Sequence, residues 1–356
     1  VSPVSRRILT RLGAWQAIAD ARMSPFEAIH AWSAAGHPGV TFDAASRGAA
    51  ELGHIVETPL IQDALRGTAG ELIADRLLSP AEVAALAVAT DGVSVDLADG
   101  RRLAGRLLIG ADGARSGVRE AAGIGTASHD YGQRGVVATI TTEVRHGAVA
   151  RQRFLPSGPV ALLPLADGRC SLVWSAEAER AAELEALDEA GFNAALTEAS
   201  ERVLGEVTHS ADRASFPLMR LHAHTYVAHR VALVGDAAHV IHPLAGQGVN
   251  LGFLDAAALV DCLARGRAAD RDPGGLAALR RYARWRRGDN ALMQRAMDGF
   301  NWLFSTTAPV RSTLRDPGLA VTDRLPLLKA VVVAHALGER GGLPSLAAAE
   351  GRPWQQ

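Results

Sequence analysis

The chain has little of several features that define other classes of protein. It contains two cysteines, Cys170 and Cys262, in 356 residues, too few for a disulfide framework or a four-cysteine zinc site. Lys and Arg total 37 against 38 Asp and Glu, so no overall positive charge is available to hold nucleic acid. No run reaches the roughly 18 uninterrupted apolar residues of a membrane-spanning helix. The hydrophobic content of 48% predicts a globular protein. The scarcity of cysteine predicts a reducing compartment, the cytoplasm.

Hydrophobic patterning places a β-rich block between two segments that mix strands and helices. It predicts strands at 29–32, 40–43, 93–97, 107–109, 136–142, 149–155, 160–163, 170–174 and 231–234. It predicts helices at 5–19, 58–65, 116–122, 176–204, 249–264, 276–304 and 325–337; the second begins with a cap hydroxyl at Thr58 and ends by Gly67. This order predicts a mixed α/β fold, in which a domain built from separated segments carries an inserted sheet.

The most informative segment runs from Val231 to Gly252 and contains a strand, a Gly-Asp turn and a Gly-rich helix start. In doubly wound sheets, ligands bind where strands end, and the carboxylate of Asp236 can accept hydrogen bonds from a polyol there. Gly246 and Gly248 let a planar ligand approach the backbone, and the helix N-terminus favours partial negative charge. A ligand-free strand–turn–helix is the weaker interpretation of this segment.

A second strand, at 107–109, runs into the turn Gly110-Ala-Asp-Gly113 and a helix with Arg115 and Arg119 near its start. Such a turn suits a phosphate or sugar contact. A turn in which Asp112 only caps the following helix is an equally good interpretation.

Together these two segments resemble the FAD-dependent aromatic hydroxylases with a single FAD-binding domain, nearest the ubiquinone-biosynthesis branch. Residues 2–15 are similar to the family's helix after its second strand, and 56–62 to the start of its flavin-proximal helix. Segments 282–290, 297–301 and 325–329 resemble its C-terminal helices. The resemblance implies a Rossmann-like FAD-binding domain from 1–132 and 221–305, a mainly antiparallel substrate domain at 133–220, and a helical tail at 306–356.

The resemblance also implies roles for individual residues. Asp236 would bond the ribityl chain, and Asp112 and Gly113 would lie near the pyrophosphate. Gln62 would approach the flavin linker, and Pro243 would line the face where oxygen adds. Backbone N–H groups at the helix start would face the pyrimidine edge. The expected cofactor-binding set is Gln62, Asp112, Gly113, Gly235, Asp236, Gly246, Gln247, Gly248, Val249 and Asn250. Pro243 and Gly248 position the flavin face, and neither a side-chain acid or base nor a metal ligand is assigned.

The implied reaction is aromatic monooxygenation with FAD. NAD(P)H reduces the flavin, O₂ forms a C4a-hydroperoxide, and its distal oxygen passes to a polyprenyl phenol of ubiquinone biosynthesis. The alternatives are a small soluble phenol as substrate, or a flavin-free scaffold subunit of a biosynthetic complex. Peripheral contact with the inner face of a membrane and homo-oligomer formation are further expectations.

The sequence departs from the family at its start. The family begins with a strand, a G-x-G-x-x-G turn and a helix that hold the FAD pyrophosphate, and this sequence resembles the family only from roughly 50 residues in. We therefore expect an N-terminal truncation or, less favoured, a protein without the adenylate half-site. Either would give weak or no FAD retention.

Two further groups leave alternatives open. Arg284, Arg286 and Arg287 form a solvated helix face or a contact for a partner protein or anionic lipid. His239 and His242 have the spacing of a metal pair, but neighbouring glycines favour a structural or flavin-proximal role.

Overall fold

The computed structural model describes residues 1–33, 39–242, 246–304 and 342–349. Its helices are α1 Pro3–Arg11, α2 Trp15–Ala21, α3 Thr58–Ile73, α4 Gly117–Ala121, α5 Ala178–Ala186, α6 Glu189–Ala199, α7 Gly248–Ala268 and α8 Leu276–Phe304. Among the helices in these ranges, none combines the length and the apolar character needed to cross a membrane.

The strands alternate with these helices along the chain. They are β1 Ser24–Phe26, β2 Ala28–Ser33, β3 Val40–Asp43, β4 Gly53–Ile55, β5 Val83–Val88, β6 Val93–Leu97, β7 Arg102–Gly105, β8 Leu108–Gly110, β9 Thr126–Thr142, β10 Val149–Leu155, β11 Gly158–Pro164, β12 Cys170–Glu177, β13 Val207–Ala223, β14 Val227–Ala228, β15 Val231–Leu233 and β16 His239–Val240. The predicted mixed α/β class is confirmed.

The largest sheet has eight strands in the order β16-β13-β9-β12-β11-β10-β2-β3. Its neighbours pair antiparallel except β10 and β2, which are parallel. One face carries alternating apolar residues of β9, β11 and β12, and α5 and α6 cover it with side chains such as Leu184 and Phe192. This alternation buries one face of each strand.

A smaller sheet joins segments that are far apart in sequence. Its order is β14-β15-β8, and β8 pairs parallel with β15, so that Ile109 lies opposite Ala232. Both α7 and α8 pack on this sheet, and the hydroxyl of Tyr282 donates to the carbonyl of Leu233 over 2.7 Å. The chain between β8 and β15 contains most of the large sheet, which matches the predicted insertion.

Strand pairing crosses the predicted domain division. The large sheet includes β2 and β3, which precede residue 133, and β16, which follows residue 220. The division at 132/133 and 220/221 therefore remains a prediction. The predicted tail helix at 325–337 lies outside the described residues, as does most of the tail. Within 342–349, Ala347 packs against α1 and α7.

Three helix predictions are wrong in their limits. The single helix predicted at 5–19 is two helices, α1 and α2, because residues 12–14 form a turn between them. The predicted end of α3 by Gly67 is wrong, because the helix continues to Ile73. Each interior glycine disfavours a helix by about 1 kcal/mol, but α3 packs Ile61 against Trp15 and Ile18. The single helical stretch predicted at 176–204 is two helices, because Leu187 is extended and Asp188 caps α6 by accepting from the amide of Gly191 at 2.8 Å.

Candidate active site

The two Gly-Asp turns lie side by side. Because β8 and β15 are parallel neighbours, their carboxyl ends meet at one edge, and the amide of Val234 donates to the carbonyl of Gly110 over 3.0 Å. The turn after β8 contains Asp112 and Gly113, and the turn after β15 contains Gly235 and Asp236. The fold thus brings together two segments that the sequence separates by more than a hundred residues.

Arg119 clamps these turns together from inside the protein. Its side chain is buried, and its two Nη atoms donate to the carbonyls of Ala237 (3.0 Å) and Ala114 (2.9 Å). Its guanidinium therefore holds one turn to the other and is not turned outward to a phosphate. The bond to Ala237 spans 118 residues, and no local pattern in the sequence predicts it.

The carboxylate of Asp112 is occupied by its own helix. One oxygen accepts from Ser116 Oγ at 2.5 Å and the other from the amide of Val118 at 3.1 Å. Ser116 in turn caps α4 by accepting from the amide of Arg119 at 3.0 Å. Asp112 thus makes the contacts of a residue that caps the following helix. The neighbouring Gly113 has a φ of +80° and open space where a side chain would stand, so its backbone is accessible.

Asp236 has the opposite environment. Its side chain is exposed at the end of β15, and it accepts no hydrogen bond from any described residue. The protein around the carboxylate reduces its hydration and raises its pKa, an effect that His239 partly opposes. A carboxylate held in this way gains from donors supplied by a ligand.

The turn that carries Asp236 is held from behind by Asp255 of α7. This fully buried carboxylate accepts from the amide of Gly235 at 3.2 Å and lies 2.5 Å from Nε2 of His239. Its other oxygen accepts from Arg286 Nε at 2.8 Å and Asn290 Nδ2 at 3.0 Å. One carboxylate therefore fixes the backbone of the turn to α7 and α8.

Charge pairing explains how this buried carboxylate remains ionised. Burial by itself raises the pKa of Asp255, but the charges and hydrogen bonds of His239 and Arg286 outweigh burial and lower the pKa to about 2. His239 thus has a structural contact, one of the two roles that its neighbouring glycines favoured over a metal pair. Arg286 is also buried, so it does not belong to the solvated helix face predicted for Arg284 and Arg287.

The start of α7 forms the other wall of the site. Gly246 has a φ of +58°, and both Gly246 and Gly248 have open space where a side chain would stand. The side chain of the cap residue, Gln247, makes no capping bond to a backbone amide of the helix, although its Oε1 accepts from Nδ2 of Asn250 at 3.5 Å. Val249 is 45% exposed. Gly252 lies against Gly235, where an added Cβ would stand 3.5 Å from the Cα of Gly235. An uncapped helix N-terminus therefore adjoins the Asp236 turn.

The side chain of Asn250 serves the protein rather than a ligand. Its Oδ1 accepts from the amide of Ser2 at 3.0 Å and from Ser5 Oγ at 2.7 Å, and its Nδ2 donates to the carbonyl of Gly246 at 3.2 Å. Only its backbone remains a candidate for the flavin. The contact with Ser2 and Ser5 attaches α1 to α7, and the sequence contained no sign of it.

The last two predicted site residues are Gln62 and Pro243. Gln62 is exposed on α3, and its neighbour Ile61 belongs to an apolar cluster that reaches Phe253 of α7. This cluster brings α3 to the first turns of α7, as the assignment of Gln62 requires. Pro243 lies outside the described residues.

These features fit the ribityl and isoalloxazine parts of FAD. Asp236 offers an acceptor without a partner among the described residues, and Gly246 and Gly248 leave a cradle that a Cβ would narrow. The amides at the α7 N-terminus supply donors and a positive dipole for the pyrimidine edge. No cluster of three or more metal-ligating side chains occurs in the ranges that the structure describes.

Comparison with known proteins agrees with this geometry. The chain matches the FAD binding domain family over residues 5–288. It is 41% identical over 287 residues to the ubiquinone hydroxylase UbiL of Rhodospirillum rubrum, covering 81% of this chain and 67% of that protein. It is 38% identical to the 3-demethoxyubiquinol 3-hydroxylase of Escherichia coli, covering 95% of this chain and 86% of that protein.

A solved structure shares the fold. The PqsL protein of Pseudomonas aeruginosa, in complex with 2-aminobenzoylacetate, superposes with a TM-score of 0.76 at 24% identity, covering 90% of this chain and 88% of that chain. The matches do not favour a small soluble phenol or a flavin-free scaffold role. The cofactor is FAD, and the chain belongs to the FAD-dependent monooxygenases of ubiquinone biosynthesis.

Proposed function

We propose that this chain hydroxylates the aromatic ring of a polyprenyl phenol intermediate of ubiquinone biosynthesis, with NAD(P)H as reductant. The observation that carries the proposal is the exposed Asp236 carboxylate beside the uncapped N-terminus of α7. FAD, when bound, would accept electrons from NAD(P)H and activate O₂, so that one oxygen atom enters the ring and the other leaves as water. The chemistry of the E. coli relative, a hydroxylase of demethoxyubiquinol, supports this substrate class.

The residues of the chain bind and orient the cofactor. The Asp236 carboxylate accepts hydrogen bonds from the ribityl hydroxyls, and the amides of Gly248, Val249 and Asn250 donate to the pyrimidine edge. Asp255 keeps the Asp236 turn in place. The dipole of α7 stabilises negative charge at that edge, which is the electrostatic contribution expected of a preorganised site.

The large sheet offers an apolar floor for the substrate. Ala161, Val173 and Val137 lie directly opposite one another on β11, β12 and β9, and all three are half-buried. The neighbouring positions on the other face are buried under α5 and α6. A partly covered apolar patch of this kind suits an aromatic ring with a prenyl chain.

The sheet and the flavin turn are contiguous. Strand β16 begins at His239, two residues after the turn at Gly235–Ala237, and pairs with β13 at the edge of the sheet. The ring of Tyr131 in β9 contacts that of His242 edge-on, with centroids 4.9 Å apart. The edge of the sheet therefore adjoins the segment that leads to Gly246.

The test is hydroxylation of a short-chain prenyl phenol by the chain with FAD, NAD(P)H and O₂, with detection of a product one oxygen heavier. We expect turnover of the prenylated substrate and little turnover of the same phenol without its prenyl chain. Equal turnover of both phenols would contradict the substrate class, and FAD binding without any product would contradict the proposed reaction.

A substitution tests the sheet face. Ala161→Trp fills the floor, and we expect a turnover loss of at least about ten-fold with unchanged affinity for FAD, since none of the proposed flavin-contact residues lies on β11. The control is Val144→Trp, at a position 55% exposed outside this face, with no effect on turnover. Unchanged kinetics in A161W would show that substrate lies elsewhere.

The place of action and assembly are part of the same proposal. A polyprenyl chain partitions into lipid, so we propose that the chain works from the cytoplasmic side in peripheral contact with a membrane that holds its substrate. Formation of a homo-oligomer or of a larger biosynthetic complex remains a prediction, which the mass of the purified chain in solution would test.

A further inference from the structure

Outside the flavin site, α8 and the end of β13 form a strongly basic groove. Its volume is about 710 Å³, and its charged and titratable lining residues are Arg220, His222, His224, Arg284, Arg287 and Arg295. No Asp or Glu of the described chain lines it. We call this surface the α8 groove.

The α8 groove contrasts with the buried face of the same helix. Arg286 points inward to Asp255, whereas Arg284, Arg287 and Arg295 are exposed and make no ion pair with a described residue. Asp289, an acidic residue of α8, lies near Arg286 at 3.3 Å and not in the groove. Among the side chains described up to Arg295, the helix thus presents positive charge in the groove without compensating acids.

The positive charge of the groove at neutral pH comes from its arginines. Burial lowers the pKa of His222 to about 4, with help from the charges of His239, Arg287 and Arg220. His222 is therefore neutral at pH 7. The guanidinium groups of Arg284, Arg287 and Arg295 can bind phosphate oxygens in a bidentate manner.

We propose that the α8 groove docks the protein on the headgroups of an anionic membrane. Arg284 and Arg295 are about 17 Å apart along the helix, too far for a single phosphate to contact both. Leu292, in the same groove, is 56% exposed, and an apolar side chain among arginines is typical of helices that lie at a lipid surface. The choice of a membrane as the partner rests on the lipophilic substrate proposed above.

The test measures vesicle binding by co-sedimentation, without flavin or substrate. We expect the full chain to bind phosphatidylcholine vesicles that contain phosphatidylglycerol, not those of phosphatidylcholine alone, and to dissociate at high salt. The triple variant Arg284→Gln, Arg287→Gln, Arg295→Gln should bind about 100-fold more weakly, since each cationic charge near such a surface strengthens binding about five-fold.

A matched control removes the same number of charges elsewhere. Arg101→Gln, Arg102→Gln and Arg202→Gln alter exposed arginines that are paired with Asp99, Asp96 and Glu206, respectively, outside the groove. Binding within about two-fold of the parent chain is expected, because the charge that matters is the local one.

Several results would overturn the proposal. These are equal loss of binding in both triple variants, equal binding to neutral and anionic vesicles, and binding of inorganic phosphate without vesicle binding, which would indicate a soluble anion. The substrate hydroxylation is measured separately with detergent-dispersed phenol, and the groove variant should retain it. Hydroxylation without vesicle binding would reject only the docking surface, whereas vesicle binding without hydroxylation would reject only the proposed reaction.

Discussion

The turns after β8 and β15 share a sequence pattern, a short strand followed by glycine and aspartate, yet they use the aspartate in opposite ways. Asp112 turns back to Ser116 and the amide of Val118, whereas Asp236 remains exposed without a partner among the described residues. The difference comes from the surroundings of each turn. The N-terminus of α4 occupies the first carboxylate, whereas the buried Asp255 fixes the backbone of the second turn and leaves Asp236 available.

The largest expected effect comes from breaking the support of the Asp236 turn. Asp255→Asn leaves the buried Arg286 with only the half-exposed Asp289 as counter-charge, so the free energy of unfolding should fall by about 3–5 kcal/mol. The affinity for FAD should fall as well, because an amide has one acceptor oxygen in place of two and cannot accept from both Gly235 and Arg286. Denaturant unfolding measures the first effect and quenching of flavin fluorescence the second.

The control for this variant is Asp289→Asn. Asp289 is the other acidic neighbour of Arg286, but its side chain is 48% exposed. Its removal should lower the free energy of unfolding by less than about 1 kcal/mol. Similar losses in both variants would mean that Asp255 has no special role in the turn.

The second effect concerns the available aspartate. Asp236→Ala should weaken FAD binding about 10- to 100-fold, since hydrogen bonds to a charged group contribute roughly 1.5–3 kcal/mol. Its free energy of unfolding should be unchanged or slightly higher at neutral pH, because the raised pKa shows that ionised Asp236 is disfavoured in the folded protein. Unchanged FAD affinity would remove Asp236 from the site.

The third effect concerns Asp112 in the turn after β8, where we expect stability to change more than the affinity for FAD. Asp112→Ala should lower the free energy of unfolding by about 1 kcal/mol, because Ser116 and the start of α4 lose a capping acceptor. FAD affinity should change much less than in the Asp236→Ala variant. If Asp112→Ala weakens FAD binding more than Asp236→Ala, the assigned roles of the two aspartates must be exchanged.

The smallest expected effect is on the pH dependence of the free energy of unfolding. The folded pKa of Asp255, about 2, lies below its usual value of 3.8, so its ionised form stabilises the folded state above about pH 4. This contribution is lost as the pH falls through about 2. Asp236, with a raised pKa, acts in the opposite direction. Unfolding between about pH 5 and pH 2 should therefore show a weaker acid dependence in Asp255→Asn than in the parent chain.

Much of the fold could be predicted where periodicity is strong. The predictions for β3, β6, β10 and α8 coincide with the structure, because alternating or helical apolar patterns report which local geometry buries a face. Strand β13 was missed. Its sequence is polar and contains Pro217, and it forms a strand because β9 pairs with it along almost its whole length, with bulges that absorb the irregularities.

The site was predictable in part for the same reason. Glycines at 113, 235 and 246 have positive φ, so their positions are fixed by local backbone sterics that the sequence displays. The contacts that Arg119, Asn250 and Asp255 make could not be predicted, because their partners Ala237, Ser2 and Gly235 lie far along the chain. A charged residue within the apolar face of α7 was the only available sign of Asp255.

By itself, the sequence determined the strand–Gly–Asp turns, the glycine-opened helix, and through them the family and its FAD cofactor. Only the tertiary structure decided which aspartate is free to bind, that Arg119 and Arg286 turn inward, and that Arg284 and Arg287 remain outside. The physical reason is that turn geometry and periodicity are properties of neighbouring residues. Whether a charge is paired depends on long-range contacts that packing alone creates.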